Sequence, residues 1–397
     1  MTETNPTNSS LIEAENRFEM GVYPKRGISL VRGSGSLVYD AEGKEYIDFT
    51  SGIGIAVLGH SHPKLAQAIS HQASTLLTCN ESFANNERAR FLTRLAALWQ
   101  SATSTNGKIF LCNSGTEAIE AAMKLARAKT GRKNFVAAMN AFHGRSMGSL
   151  SLTFKPKYRE RFEPLIGPIA RVRYNDIESL RSAVNNETAA VFLEVIQGEG
   201  GIRPATQEYI KAAREICTAA GALLIIDEIQ SGVGRTGKFF AFEHYGIAPD
   251  ACTLAKGLGG GVPIGALIAR EDVCAFKPLE HGSTFGGNPL ACAAGNAALD
   301  VFEQENLLEQ AATNGEWLAG RLRALTAKHP SIVEIRGKGL MIGIELKSES
   351  KPVLQAAQAK GLLVLSGGDV VVRLLPPLNT PREVYERALG ILDAVLP

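Results

Sequence analysis

The chain has 397 residues, of which 45% are hydrophobic and 21% charged, enough apolar surface for one large domain with a smaller one beside it. Its formal net charge of +2, with Lys and Arg scattered among Asp and Glu, leaves no basic footprint for a nucleic acid. No apolar run approaches the roughly 18 residues that cross a bilayer, so no membrane partner is expected.

In chain order, the polar start over residues 1–10 lacks the basic flank and apolar stretch of a secretory signal. It reads as a frayed terminus of a cytoplasmic protein. Gly33, Gly35 and Gly43 break the first hundred residues into short strands and turns, as in the hairpin-like stretch 36–48. From Lys108 onward, short β-branched runs alternate with amphipathic stretches, the pattern of an α/β protein with a mainly parallel sheet. The spacing predicts strands over 108–112, 134–138, 189–195, 222–227 and 265–269, with a further strand-like run over 251–254. It predicts a helix over 206–220, because Tyr209, Ile210, Ala213, Ile216 and Cys217 share one face. After about Asp300 come a helix over 304–328, a strand over 342–346 and a terminal helix from Arg382. The expected division is 1–60 as a segment packing with the small domain, 61–299 as the large domain and 300–397 as a small α+β domain. Six cysteines, Cys79, Cys112, Cys217, Cys252, Cys274 and Cys292, show no CxxC pair and read as separate buried thiols.

Four motifs carry chemistry. Asn113-Ser-Gly-Thr-Glu117 follows a strand and opens a helix, where free N–H groups and the helix dipole make a phosphate cradle; Ser114 with Glu117 as a plain capping box is the alternative. Asp227 and Glu228 end a buried strand, where ligands of open α/β sheets bind, and a carboxylate there needs a cationic partner or a cap. A metal is not indicated, since neither His60 nor His62 has a third ligand nearby in sequence. Lys256, in Ala-Lys-Gly-Leu-Gly-Gly-Gly-Val-Pro, is surrounded by small residues that let a bulky cofactor approach, and a lysine held there can lose its charge and form an imine. Gly282-Ser-Thr-Phe-Gly-Gly-Asn-Pro289 supplies hydroxyls that could complete an anion site, or is a plain loop. A fifth stretch, Gly232-Val-Gly-Arg-Thr-Gly-Lys238, nearly spells a P-loop, but Phe239 stands where a Ser or Thr must bind magnesium and no clear helix follows.

Taken together and in order, Gly59-His-Ser-His-Pro63, Ser114-Gly-Thr116, Phe142-His-Gly-Arg145, Gln197-Gly-Glu-Gly-Gly201, Asp227-Glu-Ile-Gln230, Lys256 and Ser283-Thr284 resemble the class III, or ω-, aminotransferases of pyridoxal-phosphate (PLP) fold type I. The resemblance covers nearly the whole chain. It implies that Lys256 carries the cofactor as a Schiff base and shuttles a proton, and that Asp227 keeps the pyridine nitrogen protonated. It implies that Phe142 stacks on the cofactor, Gln230 contacts its phenolic oxygen, and Gly115 and Thr116 hold its phosphate. Thr284 would reach that phosphate from the neighbouring subunit of a homodimer with shared sites.

Within the family the likeness is strongest to acetylornithine and ornithine aminotransferases. It implies transfer of a δ-amino group between N2-acetylornithine and 2-oxoglutarate, in arginine biosynthesis. Arg145 would grip the substrate α-carboxylate through a bidentate fork, assisted by Ser283. Glu199 and Arg373 resemble a switch that masks an arginine while the ω-amino substrate is bound and frees it for the 2-oxo acid; a structural ion pair is the alternative. Phe135-Val-Ala-Ala-Met139 and Met147-Gly-Ser-Leu-Ser151 are similar instead to the lysine-pathway enzyme that acts on a carrier-protein-linked aminoadipate semialdehyde, whereas His143 favours acetylornithine. Val195 departs from the family, which has proline after Glu194, and a looser turn is expected there.

Overall fold

The computed structural model describes residues 6–397. The amino-terminal glycines do fold the chain into short strands, β1 (Leu30–Ser34), β2 (Leu37–Asp40) and β3 (Glu45–Asp48), paired as an antiparallel meander. Gly43, at φ +83°, makes the turn between β2 and β3. The expected frayed start is corrected from residue 7 onward, and residues 1–5 lie outside the described residues. Thr7 caps a helix over Asn8–Phe18, and the buried Asn8 donates to Asp40. Strands and turns give way to helices after β3, at Pro63–Thr75 and Asn86–Thr103. The second of these is capped by Asn85 and buries Phe91, Leu95 and Trp99, a four-residue spacing that places them on one face.

The centre of the chain supplies β4 (Gly107–Cys112), β5 (Asn134–Ala138), β6 (Ile169–Val172), β7 (Thr188–Leu193), the short ribbon β8 (Ile196–Gln197) and β9 (Arg203–Pro204), then β10 (Leu223–Asp227), β11 (Ala251–Leu254) and β12 (Gly265–Arg270). Seven of these form one sheet in the order β4-β12-β11-β10-β7-β5-β6. Only β12 runs antiparallel to its neighbours in that sheet, so the mainly parallel α/β architecture is as expected. Strands β7 and β10 are buried at every position, which is why they read as continuous apolar runs. Strand β6 went unpredicted because it is a half-buried edge strand carrying Arg171. The helix Gln207–Ala220 starts at its Thr206 cap, stops at Gly221 in the left-handed conformation, and buries the five residues foreseen.

The carboxy-terminal part bears out one helix and adds another. The helix expected over 304–328 spans Leu307–Leu325, and a preceding helix that was not foreseen, Pro289–Gln304, is separated from it at Glu305 and Asn306, the latter at φ +50°. Strands β13 (Ile332–Lys338), β14 (Met341–Leu346), β15 (Leu362–Leu363), β16 (Leu365–Ser366) and β17 (Val371–Leu374) follow, and the terminal helix spans Arg382–Asp393. Four of the strands make an antiparallel sheet in the order β13-β14-β17-β16, while β15 pairs parallel with β3. The two ends of the chain therefore share a sheet. The near P-loop is a packing turn: the carbonyls of Leu340 and Pro376 accept from Arg235, and side chains at Gly234 and Gly237 would collide with Phe302 and Ala312. Val195 is fully buried, and its carbonyl accepts from Ala205 N and Tyr245 Oη, so that turn is tied. All six cysteines are free; Cys112, Cys217, Cys252 and Cys292 are buried as expected, whereas Cys79 is half-buried and Cys274 exposed. Among the described residues, no helix is long and apolar enough to cross a membrane.

Helix Leu307–Leu325 lies against the β13–β14 turn so closely that a Cβ on Gly315 would overlap the backbone of Gly339. Gly315→Ala should cost roughly 1–3 kcal/mol of stability, because rigid backbone must move. Gly320→Ala in the same helix faces open space and should be neutral or stabilising. Urea unfolding of both variants checks the pair, and equal effects would contradict the packing described.

Candidate active site

In a parallel sheet the carboxyl ends of the strands lie along one edge, and the antiparallel β12 brings its amino end there. The segments leaving β4, β5, β7, β10 and β11 accordingly converge on one cavity of about 340 Å³. Gly115, Thr116, Phe142, Glu199, Asp227, Gln230 and Lys256 all line it. Seven of the residues singled out in the sequence thus face a common space.

One end of the cavity is a helix amino terminus. Ser114 caps the helix Gly115–Thr130, its Oγ accepting from Glu117 N at 3.3 Å, while the Glu117 carboxylate accepts from Asn113 N and Ser114 Oγ. The capping box and the cradle are therefore compatible, since the cap leaves the first amides of the helix turned to the cavity. A side chain at Gly115 would meet Ile229 at 2.7 Å, so a larger residue there would require Ile229 to move. The Thr116 hydroxyl is engaged with Ser146 Oγ and Ser149 Oγ at 2.7 and 2.6 Å, which fixes its rotamer.

The other end is anionic. Asp227 Oδ2 lies 2.7 Å from His143 Nδ1, and its Oδ1 accepts from Ile229 N and Thr253 Oγ1. The carboxylate facing Nδ1 puts the imidazole proton there, and the buried Nε2 has no partner. Lys256 stands between the two ends at φ +47°, a left-handed conformation uncommon outside glycine. Burial lowers its pKa, with Asp227 opposing the shift.

Arg373, on β17, is not a lining residue but reaches the rim. Its Nη1 lies 2.7 Å from Glu199 Oε1 and 3.1 Å from Gln230 Oε1. Arg145 is exposed beside the cavity, its guanidinium 4.5 Å from the Tyr158 ring centre and 5.9 Å from that of Tyr23. No carboxylate pairs with it among the described residues. Ser283 Oγ accepts from Asn113 Nδ2 at 3.0 Å, next to the helix terminus, while Thr284 is exposed and does not line the cavity of this chain.

Glu194 escaped the sequence reading as a site residue. It directly follows the buried β7, as Asp227 ends β10, and that shared position was the available signal. Its Oε2 accepts from Phe142 N and its Oε1 from Gly198 N, both at 3.1 Å. One carboxylate thereby ties the two loops carrying Phe142 and Glu199. Burial pushes its pKa up to about 7, with the backbone donors opposing. The fold thus holds a proton on Glu194 that the unfolded chain releases near 4.5, and the stability it contributes falls as pH rises from 4.5 to about 7. Glu194→Gln removes this titration. The stability of the variant relative to the parent should climb across that window, and a constant difference in urea unfolding at the two pH limits would contradict the protonation described.

The comparisons with known proteins come from both sequence and structure. The family Aminotransferase class-III matches residues 22–396. An acetylornithine aminotransferase of Caldanaerobacter subterraneus subsp. tengcongensis is 48% identical over 97% of this chain and 99% of its own length. A [LysW]-aminoadipate semialdehyde transaminase of Deinococcus radiodurans is 44% identical over 100% of this chain and 92% of its own length. Among solved structures, the ornithine aminotransferase of Toxoplasma gondii, which has PLP at partial occupancy in its active site, superposes with a TM-score of 0.94 at 31% identity, covering 99% of this chain and 95% of that one. Because the family match takes in the whole cavity and the sheet that shapes it, the chain belongs to the class III aminotransferases.

Proposed function

We propose that the protein is a PLP-dependent aminotransferase that moves the δ-amino group between N2-acetylornithine and 2-oxoglutarate. The observation that carries the reading is one cavity with a lysine between a helix amino terminus and a buried carboxylate. That donor set fits PLP: the amides of Gly115 and Thr116 suit its phosphate, Asp227 its ring nitrogen, Phe142 its ring face, Gln230 its phenolic oxygen and Lys256 its carbonyl carbon. Bound there, PLP supplies a carbonyl and an electron-withdrawing ring for amino transfer.

The protein's own groups do the rest. With its pKa lowered, the Lys256 amine is more readily present in its neutral form, which can take a proton from the substrate carbon that bears the amino group and return it, and it can do so without leaving the cavity. His143 donates to Asp227 and holds the carboxylate in position. Arg145, held against Tyr158 and unpaired among the described residues, binds the substrate α-carboxylate through two parallel hydrogen bonds and leaves the δ-amine as the end that enters. Glu199 masks Arg373 during that half-reaction and releases it to the second carboxylate of 2-oxoglutarate in the other.

Ser283 assists in binding the substrate, and Thr284 completes the phosphate end from a second copy of the chain, a homodimer with shared sites. The exposure of Thr284 and of its neighbour Phe285, 64% exposed, supports this. Residues 1–60 and 300–397 form the smaller domain, a division supported by the pairing of β3 with β15. A second reading, action on a carrier-linked aminoadipate semialdehyde, is favoured by the relative of that name at 44% identity. Comparing kcat/KM for N2-acetylornithine, ornithine and carrier-linked lysine, each with 2-oxoglutarate, tests the choice. Acetylornithine should lead, and a lead for the carrier-linked substrate would replace the first reading by the second.

Two variants test the roles. Asp227→Asn should retain the fold and lower kcat on the order of 10²-fold or more, because the ring nitrogen loses its anionic partner. A loss within about twofold of the parent would remove Asp227 from the role. Arg145→Lys should raise KM for acetylornithine more than KM for 2-oxoglutarate, since an ammonium cannot reproduce the planar fork. Equal changes would assign Arg145 a general structural part.

A further inference from the structure

Resting on the reading of Glu199 and Arg373 as a gate, we infer that Gln230 is a second latch on Arg373, a positioning residue that sets how readily the enzyme admits a dicarboxylate. A single guanidinium nitrogen, Arg373 Nη1, is gripped from two segments: by Glu199 Oε1 at 2.7 Å from the loop between β8 and β9, and by Gln230 Oε1 at 3.1 Å from the turn after β10. The arginine side chain is 4% exposed, and its Nε is buried without a partner. Because a guanidinium only donates, the carbonyl oxygen of the Gln230 amide must be the atom that faces it.

The amide is also confined. A Cβ on Gly198 would overlap the Gln230 carboxamide, so this glycine forms the notch in which the amide sits. Gly198 adjoins Glu199, and its own N–H is held by Glu194. Both acceptors of Arg373 are therefore set by one short loop. A dicarboxylate that recruits Arg373 must displace an ion pair and a hydrogen bond from a neutral amide together.

The identity of the residue tunes the latch. A glutamine adds a neutral acceptor, which restrains the guanidinium without doubling the negative charge around it. A glutamate at the same place would set two carboxylates on one cation and hold the gate shut. An alanine would leave Glu199 as its only side-chain acceptor of those two. Because a hydrogen bond to a charged group is stronger than a neutral one, its removal should change competition for the arginine by roughly tenfold.

The test is the calorimetric affinity of the PLP-loaded enzyme for glutarate, a five-carbon dicarboxylate with no amino or oxo group to react, with the monocarboxylate valerate as control. Gln230→Ala should bind glutarate roughly tenfold more tightly than the parent, Gln230→Glu more weakly, and valerate should change in neither. Opposite signs from the two substitutions separate a latch from simple loss of packing, and the nearly isosteric Gln230→Glu carries the test if the alanine variant does not fold. Glu199→Ala distinguishes the two levels of the argument. If it tightens glutarate while both Gln230 variants match the parent or shift together, the gate stands and the latch is overturned. If it leaves glutarate unchanged, the gate itself falls, and the latch with it.

Discussion

Acidic side chains held inside a dry sheet edge are the constraint around which the rest of this site is arranged. Three carboxylates, Glu194, Asp227 and Glu228, leave the carboxyl ends of two fully buried strands, and each lies below a tenth exposed. Such groups persist only with donors around them. Glu228 accepts from Ala241 N, Phe242 N and Ser231 Oγ, and burial pushes its pKa up to about 7, so it closes a turn and has nothing left to offer a ligand. Glu194 spends its oxygens on two loop amides. Asp227 differs because one partner is an imidazole on the cavity wall and the carboxylate itself faces the cavity. Adjacent acids of the same chemical type are thus divided into scaffold and site by what their neighbours donate.

The legibility of the fold follows the same logic of burial. Strands β5, β10, β11 and β12 could be read within a residue or so, since strands covered on both faces are short continuous apolar runs, and the edge strand β4 was read as well, although only Leu111 and Cys112 in it are buried. The edge strand β6 alternates too weakly to stand out. Helices were harder where a glycine-rich segment led the reading, so Pro63–Thr75 and Asn86–Thr103 were missed despite the regular spacing of Phe91, Leu95 and Trp99. The helix expected over 304–328 starts only at Leu307, after Asn306, whose left-handed conformation breaks the chain without proline or glycine to announce it, and Pro289–Gln304 before it was missed.

Site residues that act through local motifs were legible, because a cap, a strand end or a glycine turn is written in consecutive residues. Gly115, Asp227 and Lys256 are of this kind, and all three reach one cavity. Contacts between distant segments were legible only where the family resemblance pointed to them, as for Glu199 with Arg373. Gln230 and Arg373 are 143 residues apart, and no spacing rule connects an amide after β10 with a guanidinium on β17. Thr116 was read as a phosphate ligand, yet its hydroxyl bonds Ser146 and Ser149, so its amide is the better candidate. Hydroxyls choose partners in three dimensions.

The loop bearing Glu199 is anchored by groups other than Glu199. Gln197 Nε2 donates to Met139 O, Gly198 N to Glu194, and Arg336 Nε to Gly201 O. Ile202, next along the loop, is fully buried. The backbone is therefore fixed on both sides of the acid, and the Glu199 side chain is free to trade Arg373 for solvent while the loop stays in place. An exchange confined to side chains disturbs neither the helix terminus nor Asp227. In the proposed gate, the cavity presents a masked arginine to one substrate and a free one to the other with the same cofactor-facing groups, which is what a single site serving two differently shaped molecules requires.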